Sequence, residues 1–220
     1  MFNKIKTIIS KPKFTTGFTL VELLVTISIF AILTGVVLFN QTKFNSTILL
    51  TNLAYDTALT IRQAQTYGIN IKEFGSSKFV PYGVHFDITD PVNNKSFILF
   101  ADTNYDYDTE RGDGLYNGSN GAEVPEPSRC EVDMGCVNRY SIKRGNYIGE
   151  LCFVNDDGTD DCGVKTLDIV FQRPNPDAHI VIDGGTDYDG KVKIKLMAAG
   201  GGSERIVVVQ SNGLIQIGDN

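Results

Sequence analysis

The pattern of hydrophobic and polar positions divides this chain into three stretches. Residues 18–39 form an apolar run in which Glu22 is the one charged residue. From Leu50 onward, apolar residues recur at steps of one, three and four, which is the spacing of an amphipathic helix; they are Leu53, Ala54, Ala58, Ile61 and Ala64. The pattern predicts a single helix from Phe18 to about Ile71.

After Lys72 the apolar residues fall into short alternating or β-branched segments, separated by turns rich in glycine, asparagine and aspartate. Such segments predict β-strands, here at residues 79–86, 97–101, 147–154, 167–171, 179–182, 192–197, 206–210 and 214–217. Asn212-Gly213, between the last two, predicts a tight hairpin. The expected fold is therefore α+β, with a long N-terminal helix packed on an antiparallel β-sheet domain.

The apolar run is long enough to cross a bilayer, because a helix over residues 18–39 would be roughly 33 Å long. Four lysines and no acid precede it, so the positive-inside rule places the N-terminus in the cytoplasm and the domain after the run outside. A plain membrane anchor would explain the length of the run. It would not explain Glu22, since an acid within a membrane-spanning segment is costly and usually functional.

The residues around Glu22 resemble the processing signature of the type IV pilins and the type II secretion pseudopilins. That signature is a short basic leader, a glycine, an aromatic residue and then Thr-Leu-Xaa-Glu opening an apolar helix; this chain has Gly17-Phe18-Thr19-Leu20-Val21-Glu22. The resemblance implies that a prepilin peptidase cuts between Gly17 and Phe18 and methylates the new amine of Phe18. It also implies that Glu22 acts in assembly, neutralising the Phe18 ammonium of a neighbouring subunit where neither charge could stay unpaired cheaply.

The residue pattern and the resemblance together predict four parts: a cleaved basic leader at 1–17, a transmembrane and filament-core segment at 18–39, an amphipathic continuation of the helix at 40–71 and an exported β domain at 72–220. The protein would first be a single-pass protein of the cytoplasmic membrane and then part of an extracytoplasmic filament. Its partners would be the prepilin peptidase, other pilin or pseudopilin subunits packed helix against helix, and an inner-membrane assembly platform. In layout the chain resembles minor pilins and pseudopilins of the GspH and FimT type.

Some relatives of that type bind DNA through basic residues after a terminal glycine, but here Gly213 is followed by Leu214, Ile215, Gln216 and Ile217. Loss of the four leader lysines leaves 16 basic against 26 acidic residues, a net charge of −10, which repels phosphate backbones. A local basic patch is the remaining route to DNA. The candidates are Arg139, Lys143 and Arg144, followed by Lys191, Lys193 and Lys195, whose alternation fits a solvated strand face better. Nucleic acid is therefore not the expected partner.

A long acidic segment follows the predicted strand at 97–101. Oxygen-bearing side chains alternate there as in calcium loops built on a D-x-N-x-D pattern; the candidate calcium ligands are Asp102, Asn104, Asp106, Asp108 and Asp113. The motif is partial, because Tyr107 stands at the sixth position, where glycine is expected, and an aspartate replaces the glutamate at the twelfth. An acidic solvated loop is the alternative, although alternating carboxylates repel one another without a cation. Two further acidic segments, 155–161 and 183–190, resemble hairpin turns more than metal sites.

All four cysteines lie in the predicted exported domain, and an even number in an oxidising compartment suggests two disulfides. Short spacing favours pairing Cys130 with Cys136 and Cys152 with Cys162, although the other pairings are possible. A zinc site is the alternative, but the spacings lack the close cysteine pairs of most zinc sites.

An enzyme is not expected, because the two histidines, His85 and His179, each lie inside an apolar strand segment and no nucleophile has an evident base. The main interpretation is a structural subunit, either a minor pilin or a pseudopilin, of a type IV pilus or a type II secretion-like filament. The alternatives are a binding module at a filament tip, for DNA or a surface ligand, and a membrane-anchored extracytoplasmic enzyme.

Overall fold

The computed structural model describes residues 17–70, 72–75, 80–103, 114–116, 135–155, 157–185 and 187–218, with the backbone alone for residues 39–45. The chain divides into two compact units, Met1–Phe44 and Asn45–Asn220. Of the described residues, those of the first unit are helical apart from the three that precede the helix, whereas the second unit contains the strands.

Helix α1 spans Leu20–Ile69. Thr19 caps its N-terminus, because the Thr19 Oγ1 accepts a hydrogen bond of 3.2 Å from the backbone N–H of Glu22, and the Thr-Leu-Val-Glu sequence has the spacing of a capping box. At the other end, the Asn70 Nδ2 donates a hydrogen bond of 2.7 Å to the carbonyl of Thr66, which satisfies one of the last helical carbonyls. With these caps the helix is two residues shorter at each end than the hydrophobic pattern predicts.

The described residues of the second unit form two five-stranded antiparallel sheets. The first sheet contains β1 (Tyr82–Asp87), β2 (Ser96–Ala101), β3 (Cys136–Ser141), β6 (Thr166–Phe171) and β7 (Ala178–Ile182), in the order β3-β2-β1-β6-β7. The second contains β4 (Tyr147–Val154), β5 (Asp160–Val164), β8 (Lys191–Met197), β9 (Glu204–Gln210) and β10 (Ile215–Gly218), in the order β10-β9-β8-β4-β5. A short 3-10 helix, Asn93–Lys95, precedes β2.

The second half of α1 shares one hydrophobic core with both sheets. Every apolar helix position that the pattern assigns to the inward face is buried, namely Leu50, Leu53, Ala54, Ala58, Ile61 and Ala64. The helix lies directly against the first sheet at Gly68, where a Cβ atom would overlap the carbonyl oxygen of Phe171. Glycine is required at this position because the helix and the β6 backbone are in direct contact.

The predicted α+β fold class is confirmed. Each predicted strand segment corresponds to an observed strand; β4 has the predicted ends, and each of the others is shifted at one end or both. The Asn212-Gly213 hairpin joins β9 to β10, with Gly213 at φ +79°. The hydrophobic pattern misses β3 and β5, because β3 carries asparagine and arginine while β5 begins with two aspartates and contains a glycine. Both are edge strands, where one side has no neighbouring strand and polar residues are tolerated.

One turn prediction is wrong. Residues 155–161 do join two paired strands, β4 and β5, as a hairpin turn. Residues 183–190, in contrast, connect β7 of the first sheet to β8 of the second, so they form a crossover between sheets. Aspartate and glycine supply the geometry of a chain reversal in either case, and composition alone does not show which sheet the next strand enters.

Candidate assembly and processing site

The N-terminal part of α1 presents an apolar surface. The segment Leu20–Leu38 has a mean hydropathy of 2.4, is long and apolar enough to cross a membrane, and buries none of its residues. Its large side chains are more than half exposed, and that of Leu20 is 78% exposed. A continuous apolar surface of this kind marks contact with lipid or with another protein.

The predicted processing site lies immediately before this helix. Gly17 and Phe18 are exposed residues outside regular secondary structure, and no heavy atom lies within 4 Å of the position of a Cβ on Gly17. Gly17 and Phe18 are therefore exposed and precede the helix, as a peptidase would need. Cleavage there remains a prediction.

Glu22 differs from the other polar residues of this segment. The hydroxyls of Thr26, Ser28 and Thr34 each donate a hydrogen bond of 2.8 Å to a carbonyl of the preceding turn, so the helix satisfies them internally. A carboxylate accepts hydrogen bonds but cannot donate them to these carbonyls. Glu22 is also the one charged residue within residues 17–38, and the helix cannot satisfy its carboxylate in the way it satisfies the hydroxyls. Its role in assembly stays a prediction.

The predicted calcium ligands lie largely outside the described residues, since Asn104, Asp106, Asp108 and Asp113 all do so. Asp102 is described and is buried, with 1% of its surface exposed. Its Oδ2 accepts a hydrogen bond of 3.0 Å from the backbone N–H of Gly114. The Asp102 carboxylate thus holds together the two ends of the acidic segment.

The structure has a disulfide between Cys152 and Cys162, the pairing that short spacing favours. It joins β4 to β5, across the turn at 155–159. Glu150 lies beside these two sulfurs, but sulfurs bonded to each other are not available as thiolate ligands, so this group is not a zinc site. Cys136 begins β3 and is buried, whereas Cys130 lies outside the described residues, and their pairing stays a prediction.

The alternating lysines on β8 are largely neutralised. The Lys193 Nζ lies 2.7 Å from the carboxylate of Asp160, and the Lys195 Nζ lies 2.7 Å from that of Glu150. The Lys195–Glu150 pair joins the neighbouring strands β8 and β4, whereas the Lys193–Asp160 pair reaches across β4 to β5. Both are as expected for a solvated strand face. In the other basic patch, Arg139 donates a hydrogen bond of 2.9 Å to the Ser96 hydroxyl.

A buried ion pair on the first sheet is not evident from the sequence. The His85 Nδ1 lies 2.8 Å from the Asp168 Oδ1, and both side chains are almost fully buried. The same carboxylate oxygen accepts a hydrogen bond of 3.3 Å from the backbone N–H of Tyr116, whose ring lies 5.4 Å from that of His85. Burial lowers the pKa of His85, but the charge of Asp168, its hydrogen bond to the ring and the charge of Asp87 together outweigh burial, so the net shift is upward from 6.5.

This pair could not be read from the sequence because His85 and Asp168 are 83 residues apart. The available signal was an aspartate in the middle of the apolar β6 sequence Thr-Leu-Asp-Ile-Val-Phe. The register of the first sheet places His85 directly opposite Asp168. The second histidine, His179, also has an acidic partner, since its Nδ1 lies 2.8 Å from the Asp187 Oδ2 at the surface.

Comparison with known proteins identifies one feature of this chain. Residues 13–38 match the family model described as the prokaryotic N-terminal methylation motif. No curated protein and no solved structure matches the chain. The methylation motif indicates a type IV pilin-like or pseudopilin subunit, which in general is processed by a prepilin peptidase and assembles with other pilins.

Proposed function

We propose that this chain is a minor pilin or pseudopilin of the GspH and FimT type, a structural subunit of a type IV pilus or a type II secretion-like filament. The observation that carries this proposal is the methylation motif at residues 13–38, placed on a helix whose apolar surface is exposed. A motif that ended in a buried helix would have no surface left for other subunits. Here the entire segment Leu20–Leu38 is available for helix-helix packing.

In this mechanism the prepilin peptidase removes the leader and methylates the Phe18 amine, and the apolar helix then enters the filament core. Transfer from the membrane into the core replaces one apolar environment by another, so the apolar side chains oppose the step little. The Phe18 ammonium and the Glu22 carboxylate of a neighbouring subunit neutralise each other in that core. Assembly is driven by the inner-membrane platform, and the β domain is displayed outside.

The described residues support a structural role better than a catalytic one. His85 is buried against Asp168, and His179 is held by Asp187. The described lysines of β8 that would form a basic stripe are paired with acids at Lys193 and Lys195. A filament-tip binding module for DNA would need unpaired cations, which these two lysines do not supply.

Mass spectrometry of sheared filaments tests the proposal. We expect the mature chain to begin at Phe18 and to carry one methyl group on its amine. A Gly17→Val variant, in which a bulky side chain replaces the residue before the cut, should retain its leader and be absent from the filaments. A wild-type chain cut after its apolar run, as an ordinary secretory protein would be, would contradict the proposal.

We also propose that calcium binds the acidic segment that Asp102 and Gly114 close. Calcium takes six to eight oxygen ligands from carboxylates, amides and carbonyls, and the candidates Asn104, Asp106, Asp108 and Asp113 supply such oxygens. Binding to the folded state alone would raise the melting temperature of the full chain. We expect calcium to raise it relative to chelator, and Asp106→Ala to remove the difference. An equal melting temperature in calcium and in chelator would contradict this proposal. The matched control is Asp161→Ala, which removes an exposed acid of β5 outside this segment.

A further inference from the structure

The two ends of the second sheet carry opposite charge. Strands β4 and β8 pair antiparallel, with Tyr147 opposite Met197 at one end and Val154 opposite Lys191 at the other. The turn before β4 therefore lies at one end of the sheet, and the connection before β8 lies at the opposite end, about 23 Å away for seven residues of strand. The first of these holds two cations, and the second holds several aspartates.

At the basic end, a groove of about 390 Å³ separates α1 from the connection between β3 and β4. Leu49, Leu53 and Ile142 provide its apolar surface, and the exposed side chains of Lys143 and Arg144 line it. Asp56 of α1 is its one lining acid, so the formal charge of the lining is positive. We call this feature the basic groove.

The turn that carries Lys143 and Arg144 has a defined backbone conformation. Arg144 has φ +62° and Gly145 has φ +79°, and the left-handed conformation is disfavoured for arginine. The neighbouring Asn146 is buried, and its Oδ1 accepts a hydrogen bond of 3.1 Å from the backbone N–H of Ala199. The turn thus presents two cations that form no ion pair within the described part of the chain.

At the acidic end, three exposed aspartates line a shallow depression with His179; they are Asp177, Asp187 and Asp189. Asp187 is held by His179 and by the backbone N–H of Ile180, and Asp189 accepts a hydrogen bond of 2.7 Å from the Ser211 hydroxyl. Asp177 and Asp189 face no cation within the described residues. We call this feature the acidic end.

We propose that the basic groove of one copy binds the acidic end of a second copy of this chain. The charges are complementary, since two cations and one acid on one surface meet three acids and a histidine on the other. The two surfaces lie at opposite ends of one sheet, so the contact is heterologous and each copy leaves one surface open for the next. Heterologous contacts that do not close into a ring generate filaments. The inference rests on the proposed function and adds to it a specific contact between the exported domains.

Carbodiimide cross-linking of the full chain in detergent micelles tests this contact. Isotopically light and heavy protein are mixed, so that an amide joining Lys143 of one copy to an aspartate of another is recognised by its mixed mass. We expect mixed amides between Lys143 and Asp177 or Asp189. Arg144→Glu, which keeps the Lys143 amine that forms the amide, should lower the yield of mixed amides about tenfold, because an acid then faces the aspartates. A salt concentration of about 1 M should lower the wild-type yield because charges are screened.

Exchanging the charges of the two surfaces is the decisive experiment. A chain with Asp177→Lys and Asp189→Lys, mixed with the Lys143→Glu, Arg144→Glu chain, should recover the dimer; Asp187 is left unchanged because it holds His179. Lys95→Glu with Lys165→Glu changes the net charge equally at exposed positions outside the groove and should leave the yield unaltered. Equal melting temperatures would show that every variant is folded.

The contact would be overturned by amides only within one copy or by no recovery on charge exchange. It would also be overturned if the wild type bound a single-stranded oligonucleotide and the groove variant did not, because the basic groove would then be a nucleic-acid site. Failure of the proposed function is distinguishable from failure of this contact. A Glu22→Ala chain should keep the Lys143 cross-link, because the contact lies in the exported domain. A Lys143→Glu, Arg144→Glu chain that dimerised normally would remove the contact and leave processing and helix assembly untouched.

Discussion

Glu22→Ala should lower incorporation into filaments by about 100-fold or more while leaving the full chain in the membrane. Removing the carboxylate leaves the Phe18 ammonium of a neighbour unpaired in an apolar core, and breaking a buried pair in this way costs about 3–5 kcal/mol, which corresponds to a factor of at least about 100. The apolar segment itself is unchanged, so membrane insertion should be normal. Immunoblots of sheared filaments and of membranes measure the two quantities separately.

Two variants control this result. Glu22→Gln keeps the shape but removes the charge, so it should also fail to assemble. Thr26→Val removes a hydroxyl that the helix satisfies through the carbonyl of Leu23, so it should assemble normally. Normal incorporation of Glu22→Ala would show that the carboxylate is not the assembly partner of the ammonium.

Asp168→Ala should destabilise the exported domain by about 3 kcal/mol, since it leaves His85 buried without its acidic partner. The backbone N–H of Tyr116 would also lose its acceptor. For a domain of this size the expected loss of melting temperature is about 6–12 °C, measured by circular dichroism on the full chain in detergent. Asp161→Ala, an exposed aspartate of β5, is the matched control and should change the melting temperature little.

The contribution of this pair should also depend on pH. The folded pKa of His85 lies above its usual value of 6.5, so the folded state binds the proton more tightly than the unfolded state does. The stabilisation is therefore fully present below about pH 6.5 and is lost as pH rises through the folded pKa. We expect the difference in stability between wild type and His85→Gln to be largest at about pH 6 and smaller at about pH 9. A difference that grew with pH would mean that His85 is not protonated in the fold.

Sequence patterns predicted the elements whose residues repeat regularly. The apolar period of α1 identified its buried face down to Ala64, and β-branched alternation identified the inner strands of both sheets. The edge strands β3 and β5 were not predicted, because they carry polar residues. Such residues are tolerated where a strand pairs with a neighbour on one side only. The contact between His85 and Asp168 was not predicted, because strand register brings together residues that are distant in sequence. No local pattern shows which strand lies next to which.

The candidate site divides in the same way. Gly17, Phe18 and Glu22 could be singled out because a contiguous motif carries them, and residues 13–38 match the methylation motif; the roles of these three residues stay predictions. The basic groove was not identified as such, because its lining comes from α1 and from a turn almost 90 residues later along the chain. Sequence had singled out Lys143 and Arg144 as cations but could not supply the apolar helix face beside them.

Cleavage after Gly17 would create an ammonium group on Phe18, next to the helix cap at Thr19. A chain that begins at Phe18 would place its ammonium one residue before the helix cap, at the end where the helix macrodipole is already positive. The positive charge of the ammonium would then lie beside the positive end of the macrodipole, and an acid in the first helical turn offsets both. Glu22 occupies that turn, with its backbone N–H bonded to Thr19. The same residue would thus stabilise the start of its own helix before any neighbour arrives, so Glu22→Ala should fray the first turn as well as remove the contact between subunits.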